Sequence, residues 1–514
     1  MPNRSTDALF QLVKSLEKSE KRNFKLYVKR NSSSEDLKIV SLFDSLDKLN
    51  EYDEEQLLKN KSIKKQQLSN MKAHLYKQIL SSLRLIKDEN NIDIQLHEQM
   101  DYARILFNKG LYLQSLKILD KMKEMAKNNN QFTYLQQALF FEKKIEGLFI
   151  TRSMRQKADQ LSRESDEVNC QVSLVNTLSN LSLQLYGWYI THGHARSTKE
   201  AEELKKFLED NLPAETKNAQ GFYDRLYLYQ CYCWYAFIRQ DFLQYYRYTQ
   251  KWVDLFEEYS NMYEIETAHY IKGMHNLMGA HFVLRNTKKL KDAIEEFEKF
   301  SHRKVVKEND INHILVFVYL TTARINSHFL EGSFSEGLKM VPHIEEKLKE
   351  YELYLDRHRV LVFYYKIACL FFGVGKNEKA IEYLNKIINW KVDLRTDLQC
   401  YARLLHLIAH YELGNFDLLE YLTKSVYRFM SKMESLSAVE EEMFNFLRRS
   451  FRVNAHALKH EFEKLLEKLR KYENNPLETR AFSYLDVISW LESKINNVPV
   501  QDVIKEKYLQ SKKK

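Results

Sequence analysis

Apolar residues recur along this chain at helical spacing in most windows. Leu9, Leu12, Val13 and Leu16 fall at i, i+3, i+4 and i+7, behind Ser5 or Thr6 as a cap. Residues 32–50 open on serines and an acidic first turn, then place Leu37, Val40, Leu42, Phe43 and Leu46 on one face. Residues 64–86 make another amphipathic helix, and the same period continues toward the C-terminus. The pattern predicts an all-α protein. Only 12 Gly and 5 Pro occur in 514 residues. That scarcity excludes a β-sandwich or barrel, which needs many Gly/Pro turns, and a doubly wound fold, which needs Gly-rich loops.

A repeat is superposed on the helical period. FNKGLYLQSLKIL (107–119), FLEGSFSEGLKMV (329–341), FFGVGKNEKAIEYL (371–384) and YELGNFDLLEYL (411–422) share one design. A helix runs into a glycine (Gly110, Gly332, Gly375, Gly414). A small or apolar residue follows five positions later (Ser115, Gly337, Ala380, Leu419). Glycine accepts the left-handed conformation that ends a helix. An aromatic two positions on (Tyr112, Phe334, Phe416) plugs the corner. A small side chain such as Ala380 then lets antiparallel helices approach. Weaker copies place Ala158, Ala201, Phe242 and Ala293 in the same scheme. Taking corners at 110, 153, 196, 240, 288, 332, 375 and 414, the step stays between 39 and 48 residues.

This design resembles the tetratricopeptide repeat. The match is clearest where Tyr364, Ala368, Phe371, Gly375, Ala380 and Leu384 fall in register, and again at Ala103, Leu106, Gly110, Tyr112 and Leu119. The step exceeds the 34 residues of that family, and its closing proline is missing, so longer helices are implied. The resemblance implies a right-handed α-solenoid over residues 91–432, with the first helix of each hairpin lining a concave wall. Residues 1–90 form a helical unit of their own, and 433–514 a helical cap with a basic tail, KEKYLQSKKK, read as frayed.

Charge and cysteine usage refine this picture. The net charge of +9, from 79 basic and 70 acidic side chains, is mild for the length. Five cysteines at irregular spacing make no disulfide framework, which fits a reducing compartment. The N-terminus lacks an apolar signal region, and no run reaches the roughly 18 apolar residues of a spanning helix. A cytoplasmic protein without membrane insertion is expected.

No phosphate loop, nucleophile elbow or kinase signature occurs. His406 with His410, and His456 with His460, stand at i, i+4, but neither pair carries the glutamate of a metalloprotease or an evident third ligand. His192 and His194 read as a turn, and Cys231 with Cys233 as buried small hydrophobes. No catalytic residue, metal or cofactor is assigned, and the chain is expected to bind rather than to catalyse.

Two binding regions stand out. Aromatic residues crowd between Tyr223 and Tyr263 with arginines among them. Tyr223, Tyr227, Trp234, Arg239, Tyr246, Arg247 and Trp252 are the candidates for holding a protein or peptide partner. The alternative is a regulator whose N-terminal unit binds nucleic acid in helix-turn-helix fashion. Lys21, Arg22, Lys25, Lys29, Arg30, Lys64, Lys65 and Lys72 would then meet phosphates.

Overall fold

The computed structural model describes residues 7–30, 34–58, 65–86, 91–148, 154–352, 354–390, 396–432, 438–450, 455–473, 475 and 486–512. The protein is all-helical, and no strand occurs among the described residues. The chain divides into two compact units, Met1–Gln95 and Leu96–Lys514.

The first unit contains α1 (Ala8–Ser15), α2 (Lys18–Arg30), α3 (Ser34–Lys48), α4 (Glu54–Leu58) and α5 (Lys65–Arg84). Asp7 supplies the cap expected at Ser5 or Thr6, which lie outside the described residues. Its carboxylate accepts from the Phe10 amide at 3.1 Å. Leu9, Val13 and Leu16 are buried with Phe24, Val28, Leu42, Phe43, Leu46, Leu75 and Ile79. The Phe24 and Phe43 rings meet at 4.7 Å, so α2 and α3 share a core.

The second unit continues α6 (Ile92–Asn108) with α7 (Tyr112–Asn128), α8 (Phe132–Leu148), α9 (Met154–His192) and α10 (Thr198–Asn211). Then come α11 (Phe222–Ile238), α12 (Phe242–Glu258), α13 (Met262–Ile265), α14 (Thr267–Val283), α15 (Thr287–Ser301) and α16 (Lys304–Lys307). Next follow α17 (Asp310–Glu331), α18 (Phe334–Gly337), α19 (Val341–Glu350), α20 (Arg357–Gly373) and α21 (Asn377–Ile388). The chain ends in α22 (Thr396–Glu412), α23 (Phe416–Lys432), α24 (Ala438–Ser450), α25 (Ala455–Arg470), α26 (Val487–Asn496) and α27 (Val500–Ser511). Helices adjacent in sequence pack on one another: α11 on α12, α14 on α15, α20 on α21, α22 on α23.

A single backbone device closes these hairpins. Gly110, Gln240, Arg285, Gly332, Gly375 and Gly414 all have positive φ, between 53° and 79°. Across each corner the next amide reaches back to the carbonyl five residues earlier. Examples are Asp241 to Ala236 (2.9 Å), Asn286 to His281 (2.9 Å), Lys376 to Phe371 (2.9 Å) and Asn415 to His410 (3.1 Å). The corner expected at 288 is at Arg285, and that at 196 is at Gly193, φ 76°. Gln240 and Arg285 take a conformation that costs an L side chain about 1 kcal/mol or more. Helices packed on both sides hold them there. The fifth residue after each of these six corners is buried: Ser115, Tyr245, Leu290, Gly337, Ala380 and Leu419.

Three expectations need correction. Residues 154–192 are one continuous helix, α9, with Ala158 exposed rather than facing a partner helix. Nothing in that stretch stops a helix, so two elements fuse; the corner expected at 153 lies outside the described residues. Phe416 is not a buried plug but 48% exposed. Phe334 is buried, and it lies so close to Gly373 that a Cβ there would come within 2.3 Å of its ring. Finally, the C-terminal segment is not a frayed tail. Helix α27 extends to Ser511 and rests on the Gly332 corner, where a Cβ would come within 2.4 Å of the Lys505 amide nitrogen. The Tyr508 hydroxyl donates to Glu331 at 3.2 Å, and Ser335 donates to Gln501 at 3.0 Å. Trp490 of α26 donates to Glu412 at 2.7 Å.

Two glycine corners should therefore behave differently. Gly375→Ala meets nothing within 4 Å, and only backbone strain opposes it. A loss of about 1–2 kcal/mol is expected. Gly332→Ala adds a backbone clash to the same strain. It should lower Tm further and release amide-exchange protection in residues 500–511, which Gly375→Ala should leave intact. Equal protection of α27 in both variants would contradict this packing.

Candidate functional site

The aromatic belt separates into groups with different surroundings. Trp252 is buried against Gly273, whose added Cβ would come within 3.1 Å of the indole nitrogen. It belongs to the core rather than to a surface a partner could reach. Tyr223 is half-buried, and its hydroxyl donates to Glu266 at 2.5 Å while accepting from Gln131 at 3.2 Å. Burial, and then the Glu266 charge, push its pKa upward. Tyr227 meets His269 edge to face at 6.0 Å. Trp234 packs against Tyr186 at 4.9 Å and stacks on Tyr189 at 5.7 Å. Arg239 donates to Tyr235 at 2.6 Å. Tyr246 accepts from Lys289 at 3.0 Å, while Arg247 is exposed on α12 with Tyr248 and Lys251 beside it in a shallow depression. Tyr227 and Trp234, seven residues apart, share one face of α11, while Tyr246 and Arg247 belong to α12.

In the N-terminal unit, Lys21, Arg22, Lys25 and Lys29 line one face of α2 together with Lys18 and Leu26. Part of this charge is answered within the unit: Lys21 pairs with Asp47 at 2.8 Å, Lys25 with Asp44 at 2.6 Å, and Lys72 with Asp7. Lys65 is exposed on α5. The Arg30 side chain and Lys64 lie outside the described residues.

The histidine and cysteine pairs differ in their surroundings. The His406 and His410 rings meet at 4.5 Å, both buried, and burial pushes His406 down to about 4. His410 is bonded to Asn415 across the corner at 3.0 Å. His194 bonds to the Phe237 carbonyl at 2.8 Å, tying its turn to the end of α11. The side chain of His456 lies outside the described residues, and His460 is exposed. Cys231 and Cys233 are buried, and burial pushes the Cys231 thiol up to about 12. No group of three metal-ligating side chains occurs among the described residues, nor any helix long and apolar enough to cross a membrane.

A further cluster lies across α14, α17 and α20. Tyr319 on α17 is its hub. His275 of α14 stacks on the Tyr319 ring at 4.0 Å and 18°. Lys272, one turn earlier, holds its ammonium 5.8 Å from the same ring. Arg359 of α20 donates to the Tyr319 hydroxyl at 3.4 Å. Two turns further along each helix a second layer repeats the arrangement. Lys366 of α20 donates to Asn326 of α17 at 2.5 Å and sits 5.8 Å from the Phe282 ring and 5.5 Å from that of Phe329. The pairs 275 and 282, 319 and 326, 359 and 366 are each seven residues apart. The layers are thus separated by about 10 Å along the helices.

The charges in this cluster are poorly answered. Arg359 pairs with Asp356, but the charged groups acting on His275 are Lys272, Arg359 and Lys366, all cations. Burial, then Arg359, pushes Lys272 down, although Tyr319 acts to raise it. Burial pushes Lys366 down to about 8. In the sequence Lys366 stands out only as the charge that interrupts the apolar window from Val360 to Val374, which reads as a buried helix, and nothing there joins it to Lys272, His275 or Arg359. The repeat-like steps between 275, 319 and 359 are the nearest thing to such a signal. No family model, curated protein or solved structure matches this chain.

Lys366 makes the cost of the cluster measurable. The unfolded chain keeps the Lys366 proton to near its ordinary value of 10.5, whereas the folded protein releases it near 8. The charge therefore opposes folding fully below pH 8, and its penalty fades as pH rises from 8 toward 10.5. Lys366→Met should raise Tm at pH 7 by about 2–4 °C. The gap from the unaltered protein should narrow between pH 8 and 10. A gap that stays constant over that range would show that Lys366 is not held against its charge.

Proposed function

We propose that this protein is a non-catalytic interaction scaffold. Its second unit is a right-handed α-solenoid of tetratricopeptide-like hairpins, and a protein or peptide partner docks on the wall made by their first helices. The observation that carries this reading is the meeting of His275, Tyr319 and Arg359, and two turns on of Phe282, Asn326 and Lys366, across three such helices. Lys272 and Lys366 stand in this cluster with no ion pair among the described residues, while Arg359 pairs with Asp356. Tyr227 and Trp234 of α11 extend the same wall. Five free cysteines, none in a disulfide, fit a reducing cytoplasm.

A second reading rests on the face of α2, where Lys18, Arg22 and Lys29 stand exposed beside the paired Lys21 and Lys25. It makes the chain a regulator with a nucleic-acid-binding first unit. The intra-unit ion pairs at Lys21, Lys25 and Lys72 favour the scaffold reading instead.

Affinity purification of the tagged full-length chain from its own cells, with and without nuclease, separates the two. The scaffold reading predicts a defined protein partner that survives nuclease. Recovery dominated by nucleic acid, and partners lost on nuclease treatment, would overturn it.

A further inference from the structure

The scaffold reading leaves the chemistry of the partner open, and the cluster on α14, α17 and α20 narrows it. Lys272, His275 and Arg359 converge on one tyrosine, and Lys366 stands two turns away beside an asparagine and two phenylalanines. Asp356, the acidic partner of Arg359, lies three residues before it at the helix cap, where it also accepts from the Arg359 amide at 2.9 Å. Among the described residues no carboxylate acts on Lys272, His275 or Lys366. Several other half-buried cations of this unit are answered. Lys123 and Lys157 share the fully buried Glu142 at 2.5 and 2.8 Å, and Lys494 pairs with Glu412 at 2.7 Å. A cation removed from water and left without an anion costs stability, and an arriving anion returns it.

We propose that these two layers are the recognition site for an acidic peptide segment of a partner protein, one carboxylate resting between Lys272, Arg359 and the Tyr319 hydroxyl and a second on Lys366 and Asn326. This rests on the scaffold reading and specifies its ligand. The layers are about 10 Å apart, which matches two helical turns of a partner or three residues of an extended polyproline-type segment. Phe282 and Phe329 flank the second layer and supply apolar contact beside the charge. The surrounding aromatic rings keep the local dielectric low, so each ion pair formed there outweighs a pair on an open surface.

The test uses the full-length chain and three labelled probes: a short oligo-glutamate peptide, an oligo-glutamine peptide of equal length, and a single-stranded oligonucleotide. Inorganic phosphate serves as competitor. Oligo-glutamate should bind and weaken as salt rises, and oligo-glutamine should not bind. Arg359→Gln and Lys366→Met should each weaken oligo-glutamate by about tenfold or more. Lys205→Gln, at an exposed lysine on α10, should leave it unchanged. Lys366→Met is expected to be more stable than the parent, so lost binding in that variant is not lost folding. Three results would each overturn the proposal. One is unchanged affinity in both substituted proteins. Another is phosphate displacing the peptide at equal concentration, which marks a site for a lone anion. The third is tighter binding of the oligonucleotide through the same residues. A cellular partner that still binds the Arg359→Gln, Lys366→Met double variant would leave the scaffold reading standing and remove acidic recognition alone. Absence of any cellular protein partner, with oligo-glutamate behaving as expected, would do the reverse.

Discussion

The hairpin corners of the second unit depend on a residue held at positive φ, with the following amide returned to a carbonyl five residues back. That closure ends one helix and aims the next without a long loop. Because it recurs at Gln240, Arg285, Gly332, Gly375 and Gly414, successive first helices end in the same kind of turn. Among those helices, α14, α17 and α20 pack side by side. His275, Tyr319 and Arg359 meet across them at 10, 13 and 16 residues before Arg285, Gly332 and Gly375, and Phe282, Asn326 and Lys366 meet two turns on. Their packing thus produces a lateral juxtaposition of residues more than 80 positions apart in the chain.

The same corners receive the C-terminal helices. Gly332 is both a helix terminator and a seat for α27, because the missing Cβ leaves room for the Lys505 backbone. Glu412, two residues before Gly414, holds Trp490 and Lys494 of α26. Residues far along the chain therefore brace hairpins formed much earlier. Contacts of this kind tie helices distant in sequence into one packed unit.

The all-α class and the glycine corners were legible in the sequence, since Gly110, Gly332, Gly375 and Gly414 announce a left-handed residue directly. Gln240 and Arg285 do the same work without a glycine, and tertiary packing rather than local preference holds them there. The long α9 hid behind an assumed regular repeat, although the stretch contains no helix stop. Trp252 looked like an interface anchor because composition does not distinguish a buried indole from an exposed one. The cationic layers were illegible for a related reason. Lys272, Arg359 and Lys366 lie far apart in sequence, and only the packing of α14, α17 and α20 brings them together.

Competitive acetylation of lysines on the full-length protein, with and without the purified cellular partner, tests the central claim most directly. The depressed pKa of Lys366 should make it react ahead of exposed lysines near pH 8, and partner binding should protect Lys272 and Lys366 while Lys29 and Lys251 react unchanged. Protection confined to Lys21, Lys25 and Lys29, with Lys272 and Lys366 reacting as before, would contradict the account and move the binding surface to the first unit.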